Sequence, residues 1–425
     1  MHYADVILPV PLEGTFTYAV PQQLQGQVAA GMRVLVPFGR SKSYVGIVAR
    51  LHDEQPEGYE VKPLAQLMDR QPILLDGQML LWQWMADYYM APLGDVMKAA
   101  LPAGLKAEEG YKPRTETYIR LTEPYRNETT LHIALNMLAR APRQQEAFIA
   151  YLTLSQWDTV EGNGTTEPVL EITREELMNH CGAPLATISQ LVKRGMLETY
   201  EVEVSRLNRG GEPHPGLIKK MSAPQQEAYN QILFAFMKKN VCLFHGVTGS
   251  GKTEIYIHLI QREIEQKRQV LYLLPEIALT VQMMDRLRRV FGDRLGIYHS
   301  KYSDAERVEI WQKQLSPHPY DIILGARSAV FLPFRNLGLV IVDEEHETSY
   351  KQQDPAPRYH ARSVAIMMSN GKFSMQRAAH ANAAKVLLGT ATPSMESYYN
   401  AMTGKYGLVE LKERYQGIEL PEIQV

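Results

Sequence analysis

Cysteine is scarce: 425 residues hold only Cys181 and Cys242, far apart and without C-x-x-C spacing. That argues against both a disulfide framework and a zinc site within this chain, and it suits a reducing compartment. Long apolar runs are lacking too. There is no N-terminal h-region, and no stretch reaches the ~18 apolar residues that a bilayer span needs. The expectation is a soluble cytoplasmic protein with no membrane partner. Charge of one sign is also missing, because 45 Lys and Arg oppose 47 Asp and Glu for a net of -2. Without a global basic field, any nucleic-acid binding has to be local. Length is not lacking: at roughly 150 residues per domain there is room for about three domains.

What is present centres on Gly246 to Thr253, GVTGSGKT, between the apolar run Val241-Cys242-Leu243-Phe244 and a helical pattern opening at Glu254. A strand, a glycine-rich turn and a helix N-terminus aim backbone N–H groups and the positive end of the helix dipole at one spot, where a polyphosphate can sit. The pattern G-x-x-x-x-G-K-[ST] makes Gly246, Val247, Thr248, Gly249, Ser250, Gly251, Lys252 and Thr253 the nucleotide cradle. In it Lys252 reaches the β/γ-phosphates of ATP and the Thr253 hydroxyl holds Mg²⁺. A plain glycine turn with a solvated lysine is the bland alternative, and the flanking strand and helix speak against it.

Ahead of this motif, residues 1 to about 60 read as β-structure: Val6 to Val10, Phe16 to Val20, Arg33 to Val36 and Tyr44 to Val48. A small barrel or sandwich fits. Asp76 to Tyr89 and about Gly94 to Ala100 read as helices that pack on it. Through Leu105, ten acidic residues outnumber seven basic ones, so this region is no electrostatic glove for duplex DNA. Nucleic acid would be held by stacking and hydrogen bonds, with Phe16 and Phe38 as exposed-aromatic candidates. Thr115 to Leu121 reads as a strand, followed by a helical region from Thr130 to about Leu154 and a loop at 162–164. Thr173 and Glu176 form a capping-box pair ahead of a helix, and Leu185 to Arg194 reads as a second helix before an alternating strand, Glu198 to Val204. Helix, turn, helix and strand is the order of a winged helix, which serves protein contacts as readily as DNA. The Gly- and Pro-rich stretch at 208–216 marks a linker.

Beyond it, short apolar runs alternate with helical stretches: Val241 to Phe244, Val270 to Leu274, Leu295 to Tyr298, Ile322 to Leu324, Leu339 to Val342 and Val386 to Leu388. This predicts a buried, mostly parallel sheet with ligands at the carboxyl ends of its strands. After Leu339 to Val342 comes Asp343-Glu344-Glu345-His346. Asp343 at a strand end can hold Mg²⁺ opposite Thr253, and Glu344 can orient and deprotonate the attacking water. Gly389-Thr390-Ala391-Thr392-Pro393 supplies two hydroxyls that link the nucleotide site to a second ligand.

Together GVTGSGKTE, LPEIALT (Leu274 to Thr280), His299-Ser300, GARSAVF (Gly325 to Phe331), DEEH, Tyr350 to Arg362 and GTATP resemble superfamily 2 helicases. With LPVPLEGTFTYAVP (Leu8 to Pro21) and RVLVPFGR (Arg33 to Arg40), the resemblance narrows to the PriA family of replication-restart helicases and covers nearly the whole chain. It implies a multidomain α/β protein. Residues 1–107 would be a small β-barrel-like domain binding a DNA 3′ end, 115–204 a winged helix, 205–220 a linker and 221–415 a RecA-like P-loop lobe. The stretch 416–425 would open the connection to a second lobe. The implied activity is ATP-dependent 3′-to-5′ unwinding at stalled forks, with primosome assembly to reload the replicative helicase. The implied partners are forked DNA with a nascent 3′ end, single-stranded DNA, primosome proteins and single-strand-binding protein, in a nucleoid-associated setting.

By the same resemblance Gln225 reads adenine, and Pro275, Glu276, Arg327 and Ser328 touch the single-strand backbone. Tyr350, Lys351, Arg358, Tyr359, His360 and Arg362 form an aromatic-rich loop that couples DNA to hydrolysis, while His346, Thr390 and Thr392 couple the motifs to one another. Phe16, Thr17, Gly39 and Lys62 stand where the family holds the 3′ end; Thr17 occupies a place where an acidic residue is common in relatives. The family's second lobe, with its arginine fingers and zinc-binding cysteines, has no counterpart here, so the chain is expected to be a fragment of a longer protein. Arginine fingers contribute about 10³ to 10⁵ in rate, so the fragment alone should hydrolyse ATP poorly. Two alternatives remain open: a fork- and ATP-binding module without helicase activity, or another superfamily 2 translocase.

Overall fold

The computed structural model describes residues 2–58, 60–126, 128–156, 170–207, 211–276, 281–299, 301–373 and 383–414. The loop expected at 162–164, the start of the linker, 277–280 of LPEIALT, Ser300, most of the Ser369 to Ala384 segment and the connection at 416–425 lie outside the described residues. No described helix is long and apolar enough to cross a membrane.

The amino-terminal sheet is antiparallel, with strands β1 (Tyr3–Ile7), β2 (Phe16–Ala19), β3 (Arg33–Phe38), β4 (Lys42–His52) and β5 (Gln66–Leu67) in the order β2-β1-β4-β3-β5. Strand alternation sorts its side chains into two sets. Ala4, Val6, Tyr18, Val34, Val36 and Val48 close the core of the small sheet. Ile7 and Ile47 face the other way, onto helices α1 (Asp76–Tyr89) and α2 (Leu93–Ala100).

A second unit, Lys112–Arg206, stands by itself. It comprises β6 (Arg114–Leu121), α3 (Glu128–Met137), α4 (Pro142–Leu154), β7 (Ile172–Thr173), α5 (Arg174–Cys181), α6 (Leu185–Lys193) and β8 (Leu197–Val204), with sheet order β7-β6-β8. Its core gathers Ile119, Phe148, Tyr151, Leu177, Ile188 and Leu191. The single helical region expected over 130–154 is two helices, because Pro142 at the first turn of α4 starts a new helix rather than continuing the old one. Thr173 and Glu176 make the reciprocal capping-box bonds at α5.

The remaining chain builds α7 (Ala223–Lys238), β9 (Val241–Gly246), α8 (Lys252–Glu265), β10 (Gln269–Leu273), α9 (Val281–Phe291), β11 (Leu295–Tyr298), α10 (Asp304–Leu315), β12 (Ile322–Gly325), β13 (Leu337–Asp343), α11 (Ala361–Met368), β14 (Lys385–Thr390), α12 (Met395–Met402) and β15 (Gly407–Leu411). Its seven strands pair in parallel in the order β11-β12-β10-β13-β14-β9-β15. Both faces are covered, which is why the central strands are continuous apolar runs: Leu243 belongs to one core, while Cys242 and Phe244 belong to the other. The edge strand β15 is absent from the sequence reading.

One of these cores does not stop at the sheet. Trp82, Met85, Val96 and Met97 of α1 and α2 share it with Trp311, Val330, Phe331 and Phe334. Two buried hydrogen bonds fix the junction: Trp311 Nε1 donates to the Ile73 carbonyl at 2.9 Å, and Gln78 Nε2 to that of Phe331 at 2.8 Å. Met1–Tyr111 and Leu207–Val425 therefore form one compact unit.

Candidate nucleotide and DNA site

The phosphate cradle spans the gap between the end of β9 at Gly246 and the start of α8 at Lys252. Gly249 and Gly251 hold φ of 77° and 79°, a left-handed backbone that a side chain would strain, and this frees the first-turn N–H groups of α8 to point outward. Lys252 Nζ donates to the Gly246 carbonyl at 3.0 Å and lies 3.8 Å from Glu344 Oε1. Ser250 is buried with a hydroxyl that lacks a partner, and Val247 N is tied to the Leu411 carbonyl of β15. Beside the first turns of α8 opens a cavity of about 550 Å³, lined among others by Ile218, Lys219, Glu254, Ile257, Gln282 and Arg286.

Gln225 is tied to the cradle itself. It is buried; its Oε1 accepts from Ser222 N at 2.9 Å, capping α7, while its Nε2 donates to the Ser250 carbonyl at 3.1 Å. Both ends of the amide are held by the protein, so Gln225 braces the cradle.

Opposite Lys252, β13 delivers Asp343 in the middle of buried tyrosines. Tyr256 Oη donates to Oδ1 at 3.0 Å and Tyr272 Oη to Oδ2 at 3.2 Å. Burial, with the neighbouring Glu344 charge second, pushes the Asp343 carboxyl up to about 6. Burial likewise pushes both phenols well above their ordinary range, so they stay protonated donors. A Cβ on Gly389 would collide with the Tyr256 hydroxyl, which is the local reason for glycine in GTATP. Asp343 and the Thr253 hydroxyl are hard oxygen donors, and a buried carboxylate reluctant to ionise by itself is the kind of group a divalent cation stabilises; the set fits Mg²⁺. Glu344 follows with φ of 47°, one of four non-glycine residues in left-handed conformation among those described. Such strain clusters at functional positions.

His346 and the two threonines of GTATP lie together. His346 Nδ1 lies 2.8 Å from Thr390 Oγ1 and Nε2 3.4 Å from Thr392 Oγ1, with Glu344 Oε2 at 3.7 Å from Nδ1. Sequence reasoning missed Glu345, which is 0% exposed and ringed by Arg362, Ser394 and Ser397.

The expected DNA contacts divide. Glu276 and Arg358 are exposed, Arg327 and Ser328 half-buried, and Pro275 buried. Arg327 Nη1 reaches the Lys351 carbonyl at 3.4 Å, and Arg358 Nε that of Gln353 at 2.9 Å. Tyr350 and Tyr359 are corrected outright: each is 1% exposed. The Tyr350 hydroxyl donates to the Asp343 carbonyl at 2.6 Å and the Tyr359 ring packs edge-on against Phe331 at 5.0 Å, so neither can stack on a base here. Lys351 donates to the Arg358 carbonyl and lies over the Tyr89 ring. Arg362 is turned inward, onto Glu345.

In the amino-terminal sheet, Phe16 meets Phe38 edge-on at 5.3 Å, and Lys62 Nζ donates to the Gly39 carbonyl at 2.5 Å. Thr17 lies on the opposite face of β2 from Phe16, where its hydroxyl donates to Asp5 Oδ1 at 2.7 Å. Burial pushes the Asp5 carboxyl up, but hydrogen bonds from Thr17, Arg50 and His52 outweigh it and hold the group below the usual carboxylate value. An acidic group thus does sit against Thr17, supplied across the strand pair by β1. The polar Asp5 between apolar Ala4 and Val6 was the signal available in the sequence.

Comparison with known proteins follows the same order along the chain. Residues 5–102 match the 3′DNA-binding domain (3′BD) of PriA, 116–204 the winged helix domain of PriA helicase from Bacteroidota, and 222–401 the DEAD/DEAH box helicase family. The replication restart protein PriA of Bacillus subtilis is 32% identical over 480 residues, covering 100% of this chain and 57% of the relative. That of Haemophilus influenzae is 36% identical over 425 residues, covering 97% and 52%. The chain spans about half the length of the curated relatives it matches. With these three domains in this order and relatives aligned along its full length, the chain belongs to the PriA family of replication restart proteins.

Proposed function

We propose that this chain is the fork-recognising and nucleotide-binding portion of an ATP-dependent 3′-to-5′ DNA helicase that restarts replication and helps reload the replicative helicase. One observation carries the reading: Lys252 of the cradle and Glu344 of the DEEH motif converge to 3.8 Å, in a unit that also carries the 3′DNA-binding sheet. The first-turn N–H groups of α8 receive the phosphates, and Lys252 exchanges the Gly246 carbonyl for the β/γ-phosphate oxygens. Thr253 and Asp343 would hold Mg²⁺, which neutralises charge on the phosphates. Glu344 orients the attacking water and accepts its proton. His346, in contact with Thr390 and Thr392, passes the state of the nucleotide to the neighbouring motif.

The substrates on this reading are ATP, single-stranded DNA and forks with a nascent 3′ end. Phe16, Gly39 and Lys62 line the 3′-end site, and Thr17 contributes through Asp5. Primosome proteins and single-strand-binding protein are the expected partners, the setting is cytoplasmic and nucleoid-associated, and any zinc belongs to the remainder of the longer protein. In the full-length enzyme, Lys252→Ala and Glu344→Gln should each abolish unwinding while leaving fork binding intact. Unwinding retained in either variant refutes the assignment.

A further inference from the structure

Glu345 takes no part in the chemistry above, yet it is a fully buried carboxylate one residue from Glu344. It accepts from Arg362 Nη1 at 2.5 Å, Ser394 N at 2.7 Å, Ser397 Oγ at 2.9 Å and Ser394 Oγ at 3.0 Å. Arg362 Nη1 also donates to Ser394 Oγ at 2.6 Å, and its Nη2 lies 3.9 Å from Glu396. Three segments therefore converge on one carboxylate. They are the turn after β13, the start of α11 that closes the 350–362 loop, and the start of α12 that follows GTATP. The same end of the loop is also fastened to α1: His360 N donates to the Tyr89 hydroxyl at 3.1 Å.

An exposed ion pair would yield to water at little cost. A buried one does not, because separating the partners strands an uncompensated charge in the interior. The 350–362 loop thus cannot shift at Arg362 without drawing Glu345 along, and the left-handed backbone at Glu344 leaves little slack between them.

We propose that the Glu345–Arg362 pair is a latch, two positioning residues that transmit the placement of the 350–362 loop to the water-orienting Glu344. It rests on the reading of Glu344 given above, and it replaces direct DNA contact as the role of Arg362. DNA drawn across the loop would then alter hydrolysis through this pair and not through a base-stacking tyrosine.

The test uses the full-length protein with Arg362→Gln and the near-isosteric Glu345→Gln, both checked for folding by thermal melting. ATP turnover is measured with and without saturating single-stranded DNA, and DNA affinity with and without a non-hydrolysable ATP analogue. The latch predicts that the DNA-stimulated increment in kcat drops about tenfold or more in both variants, with the KM for ATP and DNA affinity changing less than about threefold. The effect of the analogue on DNA affinity should collapse toward none. Weakened DNA affinity with full kcat at saturating DNA would make Arg362 a DNA contact and overturn the latch. A lower melting temperature with unchanged stimulation would make the pair merely structural and overturn it as well. A wild type that binds ATP and DNA without any linkage leaves nothing for a latch to carry, whereas one that binds neither sinks the functional reading itself.

Discussion

At the scale of single residues, the site is built from groups whose neighbours leave them no freedom. Asp343 is held by two phenols, and one of those phenols fits only because residue 389 has no side chain. Gly389→Ala should displace Tyr256, misplace Asp343 and lower kcat for ATP by up to about 100-fold, with DNA affinity preserved; wild-type turnover would refute this account of the glycine. His360 carries a second consequence. Burial, reinforced by the Arg362 and Lys351 charges, lowers its pKa to about 4, so the folded protein keeps it neutral while the unfolded chain takes up a proton below its ordinary 6.5. The stability from this depressed value is fully present above 6.5 and is lost as pH falls toward 4. His360 keeps contact with solvent, which screens the neighbouring charges, so the stability at stake is on the order of 1–2 kcal/mol, well below the full 1.36 kcal/mol per unit. His360→Asn should therefore narrow the gap in melting temperature between pH 7 and pH 5; an unchanged gap would mean that His360 is not the group responsible. Residue-scale chemistry was only partly legible in the sequence. Lys252, Thr253, Asp343 and Glu344 are set by spacing along one strand–loop–helix pattern and one strand end. The burial of Tyr350 and Tyr359, and the meeting of Asp5 with Thr17, depend on partners distant in the chain that no local pattern names.

At the scale of elements, apolar runs and caps were readable because each reports its own local requirement. The sequence places a helix over Asp76 to Tyr89 and a cap at Thr173, and both are found there. The strand β15 escaped because GLVEL is short and its Glu410 breaks the apolar run; it becomes a strand only by pairing with β9. Which surface α1 would cover was equally invisible, since an amphipathic helix declares that it has an apolar face and not what lies against it. The Trp311–Ile73 hydrogen bond tests that interface directly. Trp311→Phe keeps an aromatic ring but strips a buried carbonyl of its donor, at a cost of about 1–3 kcal/mol. Denaturant unfolding should register this as a lowered midpoint for the unit containing α1, with no change in the unfolding of the Lys112–Arg206 unit. A midpoint equal to that of the wild type would show that the bond contributes nothing.

At the scale of the whole molecule, domain count and compact units do not coincide. Three families match along the chain, yet only Lys112–Arg206 is compact by itself; the first and third share a core. Expressed alone, residues 112–206 should fold cooperatively with dispersed amide resonances. Residues 1–111 alone should show exposed apolar surface by dye binding, because Trp82, Met85, Val96 and Met97 lose the partners contributed from Trp311 to Phe334. A well-packed, dye-silent 1–111 fragment would contradict the shared core.

That shared core also sets a schedule for biosynthesis. The helices α1 and α2 leave the ribosome early, but Trp311, the residue that caps their junction, is translated roughly 200 residues later, on the order of 10–40 s at about 5–20 residues per second. Throughout that interval the Lys112–Arg206 unit can finish folding while the apolar face of α1 and α2 waits uncovered. The nascent chain is most exposed to misassociation in the middle of its synthesis, and a holding chaperone would matter most there.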